Sequence, residues 1–237
     1  MRSLPRTVLC CAALAIGFLG ASVSTFAGFG NAVLVGDGEI FVGEAANQFR
    51  PGTVYVYRRG GSGSWQVSAT LTAPGAVVGD QFGSALALDG TRLFVASGTT
   101  AVHVFNKTES IWTAGGSIAA SAVPGQDIRL GRGLAASGEW LFVGRETVGA
   151  GRGRGAGGGG GGGGGRGGAE AGPAPAGAVY VFKRDAAGTY AHHSTLVSGD
   201  SASAGDNFGA SLAINGTVLL IGASGQANRA GVVHEFG

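Results

Sequence analysis

Short apolar runs that recur at a fixed distance dominate the chain after residue 28. A pair ending in glycine is followed 12 positions later by the centre of an apolar run, and this happens four times. Four equal spacings indicate an internal repeat, which is the feature of a sequence to establish first. The pairs are Phe29-Gly30, Phe82-Gly83, Leu130-Gly131 and Phe208-Gly209, and the runs centre on Phe41, Phe94, Phe142 and Leu220.

Each repeat predicts four short strands within about 50 residues. The third strand is GTVYVY at 52–57, TAVHVF at 100–105, GAVYVF at 177–182 and GVVHEF at 231–236. A fourth extended segment follows the first three of these, around 66–71, 113–118 and 191–196, and an aromatic residue precedes each one: Trp65, Trp112 and Tyr190.

Two-residue turns are predicted between the first and second strand of every repeat. Glycine, asparagine and aspartate tolerate the positive φ that tight hairpins require. On that basis the predicted turns are Gly36-Asp37, Asp89-Gly90, Ser137-Gly138 and Asn215-Gly216.

The second strands are apolar at consecutive positions, as in Leu93-Phe94-Val95. Such a run indicates a strand that is buried on both faces, and one four-stranded unit cannot bury two faces alone. We therefore predict an all-β fold, a β-propeller with blades of four antiparallel strands that form an incomplete ring of about four blades.

The recurring Phe-Gly, the Ile-Gly-Ala-Ser ending of a second strand and the G-x-V-Y-V-F third strand resemble FG-GAP repeats. These are the blades of the integrin α-subunit propeller and of many secreted bacterial proteins. Repeat four matches best, from Asp206 to Phe208-Gly209 and on to Ser224, whereas repeat three is degenerate because Leu130 replaces the Phe. The resemblance implies a propeller whose blade loops contact a partner, but it does not specify the partner.

Some blades of the integrin-like form enclose a calcium loop between their first two strands. Here only a two-residue turn separates those strands, with at most one carboxylate such as Asp37 or Asp89. Calcium prefers six to eight oxygen ligands, usually from several carboxylates. We therefore expect no calcium in these blades, and no cofactor or metal elsewhere.

The first 27 residues predict a secretory signal peptide. Arg2 and Arg6 precede an uncharged apolar run from Val8 to Leu19, and a small-residue cleavage site ends at Ala27. The alternative is an uncleaved anchor helix. Cleavage would remove both cysteines, Cys10 and Cys11, and would leave 14 basic against 14 acidic residues. We expect a secreted, periplasmic or cell-surface protein at 28–237 with no membrane or nucleic-acid partner.

A glycine-rich segment at about 149–176 interrupts repeat three. It includes an unbroken glycine run at 157–165, and its arginines are few. This composition is typical of a flexible insertion rather than of a phosphate loop or an RNA-binding segment.

Candidate catalytic or metal-binding residues are few. His103 and His234 occupy the third-strand position that Tyr55 and Tyr180 hold in other repeats, which favours packing over metal ligation. Asp80 and Asp206 precede Phe-Gly pairs by two residues and are expected to tie down a turn. No nucleophile and base pattern emerges, so we expect no enzyme and no catalytic, cofactor-binding or metal residues.

The predicted function is an exported, non-catalytic scaffold that binds protein or glycan partners. Two alternatives are the propeller part of a larger secreted hydrolase or adhesin, and a truncated non-functional fragment. An incomplete ring also predicts self-association, because its terminal blades would expose apolar faces such as Leu219-Leu220-Ile221.

Overall fold

The computed structural model describes residues 28–125, 130–145, 177–199 and 205–237. The predicted signal peptide at 1–27 and the predicted glycine-rich insertion at about 149–176 lie outside these ranges.

The described residues form four antiparallel sheets, which we number as blades 1 to 4 in chain order. Blade 1 contains β1 (Phe29–Gly36), β2 (Glu39–Glu44), β3 (Thr53–Arg59) and β4 (Trp65–Leu71); blade 2 contains β5 (Phe82–Asp89), β6 (Arg92–Ser97), β7 (Ala101–Thr108) and β8 (Ile111–Ala119); blade 3 contains β9 (Leu130–Ser137), β10 (Trp140–Arg145), β11 (Ala178–Arg184) and β12 (Tyr190–Val197); blade 4 contains β13 (Phe208–Asn215), β14 (Val218–Ala223) and β15 (Val232–Phe236).

Each sheet follows chain order, so every strand pairs with its sequence neighbours. This is the simple meander that the repeat predicts. A helical turn, α1 (Gln226–Arg229), lies between β14 and β15, and a 3-10 turn occupies Ala120–Ala122. None of the helical turns in the described residues is long and apolar enough to cross a membrane.

The turns between first and second strands have the predicted length of two residues, but the predicted positions were wrong by one. The turns are Asp37-Gly38, Gly90-Thr91, Gly138-Glu139 and Gly216-Thr217, because the flanking residues Gly36, Asp89, Ser137 and Asn215 still pair in the ladder. In the last three turns the shift moves the glycine with positive φ from the second turn position to the first, and in the first turn it adds Gly38, which also has positive φ.

Consecutive blades pack through their first strands. β1 packs against β5, β5 against β9, and β9 against β13. A separate apolar core fills each of the three junctions, and each core combines residues of the two blades that meet there. The four sheets are arranged as a four-blade β-propeller, as the sequence predicts, and within the described residues blade 4 does not pack against blade 1 as consecutive blades pack against each other.

Candidate functional site

The repeat-signature residues Phe82, Leu130 and Phe208 lie at the junctions between blades. Each begins the first strand of its blade, and each is fully buried, at 0% exposure. Phe29 begins blade 1 in the same way and contacts the third-strand Tyr55 of its own blade, with ring centroids 5.6 Å apart. Phe82 and Phe208 make the same contact with His103 and His234. Phe29 nevertheless stays 54% exposed, because none of the blades that the structure describes packs over it.

Glycines allow the Phe-Gly pair of blade 2 to approach the backbone of blade 1 closely. A Cβ atom on Gly43 would lie 2.1 Å from the Gly83 carbonyl oxygen, and one on Gly52 would lie 2.3 Å from the Phe82 carbonyl oxygen. Gly83 itself has a φ of 90°, which a residue with a side chain rarely adopts. Gly43 and Gly52 of blade 1, which we call the acceptor glycines, therefore interlock with Phe82-Gly83 of blade 2, which we call the donor pair. The two terms refer to the packing of blades and not to hydrogen bonds.

The junction of blades 3 and 4 repeats this arrangement with equivalent residues. Cβ atoms on Gly144 and Gly177 would lie 2.0 Å and 2.3 Å from backbone atoms of Gly209 and Phe208. Both Gly30 and Gly209 also have positive φ, of 81° and 89°.

The middle junction differs on both sides. Blade 2 has Ala96 and Thr100 at the two acceptor positions, and blade 3 supplies Leu130-Gly131 in place of Phe-Gly. The Leu130 amide donates to the Thr99 carbonyl oxygen at 3.0 Å. Blades 1 and 3, which have glycine at both acceptor positions, are thus each followed by a blade that supplies phenylalanine. Blade 2, which has neither glycine, is followed by a blade that supplies leucine.

A second contact joins consecutive blades, between an aromatic residue of the fourth strand and the second strand of the preceding blade. The fourth-strand Trp112 of blade 2 packs edge-on against Phe41 of blade 1, with centroids 5.5 Å apart, and Tyr190 of blade 3 packs in the same way on Phe94 of blade 2. The equivalent aromatic residue of blade 1, Trp65, is 46% exposed.

A buried ionic cluster also spans the junction of blades 1 and 2. The Glu39 carboxylate is 1% exposed, and it accepts hydrogen bonds from Arg58 in its own blade and from the Trp112 indole of blade 2 at 3.2 Å. Lys107 of blade 2 approaches the same carboxylate at 3.2 Å. These partners satisfy a carboxylate that would otherwise be costly to bury.

The two ends of the blade array expose complementary sets of residues. Blade 1 presents the donor end, which we define as Phe29, Gly30 and Trp65. Blade 4 presents the acceptor end, which consists of Gly222 and Gly231 at the two acceptor positions and Leu220 at the position of Phe41. Leu220 is 38% exposed, like its neighbour Val218 on the same face of β14.

Asp80 ties blade 1 to blade 2, in keeping with its predicted role in a turn. Its Oδ1 atom accepts hydrogen bonds from the backbone amides of Gly52 at 2.9 Å and Phe82 at 3.1 Å. In blade 4, the Asp206 carboxylate accepts a hydrogen bond from the Gln226 amide at 3.2 Å.

Three of the third-strand residues that the sequence aligns, Tyr55, His103 and His234, share a position but differ in surroundings. Tyr55 donates to Glu44 at 2.8 Å, and His234 bonds Gln226 at 2.7 Å. His103 packs on Phe82 and is 9% exposed, and this burial lowers the pKa of the imidazole, although the Asp80 charge acts in the opposite direction.

The sequence located the signature residues but missed the acceptor side of each junction. Gly43 and Gly144 lie near the ends of second strands, where glycine is not unusual in the sequence. The acceptor position is indicated only when Gly43, Ala96, Gly144 and Gly222 are aligned across the repeats. Within the described ranges, no three His, Cys, Asp or Glu side chains cluster as metal ligands would. The absence of bound calcium stays a prediction.

Comparison with known proteins supports the repeat assignment. A family model described as "FG-GAP repeat" matches residues 191–235, from β12 of blade 3 through most of β15 of blade 4. No curated protein sequence matches the chain. A solved structure of a protein from Lactobacillus plantarum is similar over 86% of this chain, with 14% identity and a TM-score of 0.47. The match covers 53% of that protein, so the chain spans about half of its length. From the family-model match, the chain carries an FG-GAP repeat, and the described strands set it within a β-propeller arrangement.

Proposed function

We propose that the chain is an exported, non-catalytic scaffold for protein or glycan partners, and that its end blades join copies of the chain head to tail. The observation that carries this proposal is the contrast between Phe29, at 54% exposure, and the fully buried Phe82 and Phe208. All three make the same contact inside their own blade, so the contrast measures what a preceding blade covers.

The occupant of the exposed face is a second copy, because the two ends of one chain fit each other by the rules of the internal junctions. Gly43 and Gly52 receive Phe82-Gly83, and Gly144 and Gly177 receive Phe208-Gly209. The acceptor end of blade 4 has the two glycines that go with phenylalanine, and the donor end of blade 1 supplies Phe29-Gly30.

The peripheral contact matches as well. Trp112 and Tyr190 each pack on an apolar second-strand residue of the preceding blade. In a head-to-tail pair, Trp65 of one copy would reach Leu220 of the other. Such a contact is heterologous, since different surfaces of the two copies meet, and it makes a ring when the rotation closes. A scaffold of this kind leaves the blade loops free for partners.

The test is the mass of the chain in solution. The chain is expressed with its own first 27 residues in a secreting host, purified as that host processes it, and measured by size-exclusion chromatography with light scattering over a range of concentrations. We expect the mass to rise to at least twice that of one copy.

Two variants assign the association to the two ends. Phe29→Ser removes the donor ring. Gly222→Val places a side chain at the position where both Phe-Gly junctions have glycine; inside blade 4 the nearest contact of its Cβ would be the Ser211 hydroxyl, at 2.2 Å, which can rotate away. Phe49→Ser is the matched control, because Phe49 is 94% exposed in the loop after β2. Both end variants should be monomeric and the control should associate. A monomeric wild type, or association that both end variants retain, would contradict the proposal.

A further inference from the structure

A cavity beside blade 2 is lined by apolar and polar residues, and three of its polar side chains have atoms that the blade junctions leave unpaired. It has a volume of about 440 Å³ and lies between the loop before β5 and the turn after β6. Asp80, Ser97 and His103 line it. Each of these residues has a buried atom without a hydrogen-bond partner: Asp80 Oδ2, Ser97 Oγ and His103 Nδ1.

Unpaired polar atoms of this kind are costly in a folded protein. A buried hydrogen-bond donor or acceptor that lacks a partner lowers the stability of the fold by about 1–3 kcal/mol. Most buried polar atoms in native proteins are therefore paired. Ser97 and His103 are 4% and 9% exposed, so the cost applies to both. Three such atoms around one cavity point to a group that supplies the missing hydrogen bonds.

Blade 4 shows which group fits this chemistry. There the side-chain amide of Gln226 bridges the equivalent aspartate and histidine. Its nitrogen donates to Asp206 Oδ2 at 3.2 Å, and its oxygen lies 2.7 Å from His234 Nε2. In both blades the histidine ring packs on the Phe of the Phe-Gly pair, so the two settings are comparable.

Blade 1 satisfies the same position within the blade by another route. Tyr55 replaces the histidine, and its hydroxyl donates at 2.8 Å to Glu44, the second-strand residue that corresponds to Ser97. In blade 2 neither solution is present among the residues that the structure describes: serine replaces the glutamate, and no side chain there corresponds to Gln226. The cavity therefore keeps the polar atoms but lacks their partner.

We propose that the blade 2 cavity binds an amide group of a ligand. The amide N–H donates to Asp80 Oδ2, and the amide oxygen accepts from the His103 ring, with the Ser97 hydroxyl as a further partner. Ala73 and Ala76 also line the cavity and offer apolar contact to the carbon next to the amide. The amide can belong to a glutamine or asparagine side chain or to the N-acetyl group of a sugar.

The same arrangement disfavours acids of the same shape. A carboxylate has no N–H to donate to Asp80 and would place a second negative charge beside it. A sugar without the N-acetyl group lacks the amide altogether. The contrast between an amide and its matched acid or plain sugar is therefore the signature of the site.

The experiment follows the imidazole signals of His103 by NMR while ligands are added at millimolar concentration. Acetamide is the minimal probe, and acetate is its control. Glutamine against glutamate and N-acetylglucosamine against glucose distinguish the two sources of the amide. We expect a saturable shift of the His103 signals with acetamide and with at least one of the two larger amides, and none with their controls.

Three variants locate the binding. Asp80→Asn can keep the oxygen that accepts from Gly52 and Phe82 but replaces Oδ2 with a donor. His103→Tyr introduces the residue that blades 1 and 3 have at this position. Each should weaken binding by about tenfold, which corresponds to the loss of one hydrogen bond. Because His103→Tyr removes the reporter, its affinity is read from ligand-detected NMR. His234→Tyr in blade 4 is the matched control and should bind as the wild type does.

A response to glutamine alone would assign the amide to a side chain, and a response to N-acetylglucosamine alone would assign it to a sugar. The proposal fails if no amide shifts the His103 signals, if the controls shift them equally, or if Asp80→Asn and His103→Tyr bind as well as wild type. Thermal melts of each variant confirm that the fold is kept.

Discussion

The second strands of blades 2 and 4 have similar sequences but different surroundings. In blade 2, every residue from Leu93 to Ser97 is buried. In blade 4, burial alternates along the strand: Leu219 and Ile221 are buried, whereas Val218 and Leu220 are exposed. A continuous apolar strand in this protein therefore has two faces that can be buried. Whether both faces are buried depends on whether a neighbouring blade packs against the strand.

Donor residues show the same difference between inner and outer blades. Phe82 fills the junction of blades 1 and 2, while Phe29 begins the same Phe-Gly pair but lies on the uncovered side of blade 1. A residue that is conserved within the repeat can thus stabilise the fold at one position and form a contact surface at another. Substitutions at such a pair, with one member inside a junction and the other outside it, measure what the neighbouring blade contributes.

Truncation of the donor phenylalanines should give the largest difference. Phe82→Ala removes a fully buried ring from the core of blades 1 and 2 and should lower the free energy of unfolding by about 4 kcal/mol. Phe29→Ala should cost less than about 1 kcal/mol, because the ring is half-exposed. Urea unfolding at low protein concentration, where copies are apart, measures both. Equal losses would contradict the assignment of Phe29 to an open end.

The buried carboxylate of blade 1 should give the next largest effect. Glu39→Ala leaves Lys107 and Arg58 without their common partner and should cost about 3 kcal/mol. Glu139→Ala is the matched control, because Glu139 lies in the exposed turn of blade 3 and is 3.9 Å from Lys183. It should cost less than about 1 kcal/mol. The same unfolding assay compares them, and a loss below 1 kcal/mol for Glu39→Ala would show that the cluster does not stabilise the junction.

Substitution of an acceptor glycine should destabilise the protein only where a neighbouring blade packs against that glycine. Gly43→Ala directs a methyl group at the Gly83 carbonyl oxygen and should cost about 2 kcal/mol, because a backbone must move. Gly222→Ala comes close only to the Ser211 hydroxyl, which can rotate away, and should change stability by less than about 0.5 kcal/mol. Thermal melts of the two variants test this. If Gly43→Ala melts like wild type, the close approach of the backbones is not required.

The smallest expected effect is a pH dependence from His103. Burial lowers the pKa of this imidazole below its ordinary value of 6.5, so the unfolded chain binds a proton more readily than the folded chain. The contribution of His103 to stability is therefore constant above about pH 6.5 and becomes unfavourable as the pH falls through that value. Unfolding measured from pH 8 to pH 5 should show less loss in His103→Gln than in wild type. Equal loss would show that His103 is not the group responsible.

Much of the fold could be predicted from the sequence, because each strand is a local pattern and the repeat shows it several times. The spacing from Phe82 to Phe94 fixes a hairpin, and the third strand 100–105 follows it without ambiguity. The turns were displaced by one residue because turn-forming residues flank both candidate positions, and only the pairing of Asp89 with Arg92 decides between them.

The candidate sites were harder to predict because they depend on contacts between repeats. Gly43 receives Gly83 from 40 positions further along the chain, and no local pattern announces that approach. The blade 2 cavity depends on what is missing near His103 compared with His234, although the two residues occupy the same repeat position. The sequence aligned these histidines but could not show that Gln226 satisfies only one of them.

Head-to-tail association predicts that Phe29 loses its solvent exposure in the assembled protein. Hydroxyl-radical footprinting reads the solvent exposure of individual aromatic side chains and can be run at protein concentrations below and above the rise in mass. We expect Phe29 and Trp65 to become protected together as copies associate, while Phe49, which lies outside both ends, stays reactive. If Phe29 remains as reactive at high concentration as at low concentration while the mass at least doubles, copies associate elsewhere and the head-to-tail account is wrong.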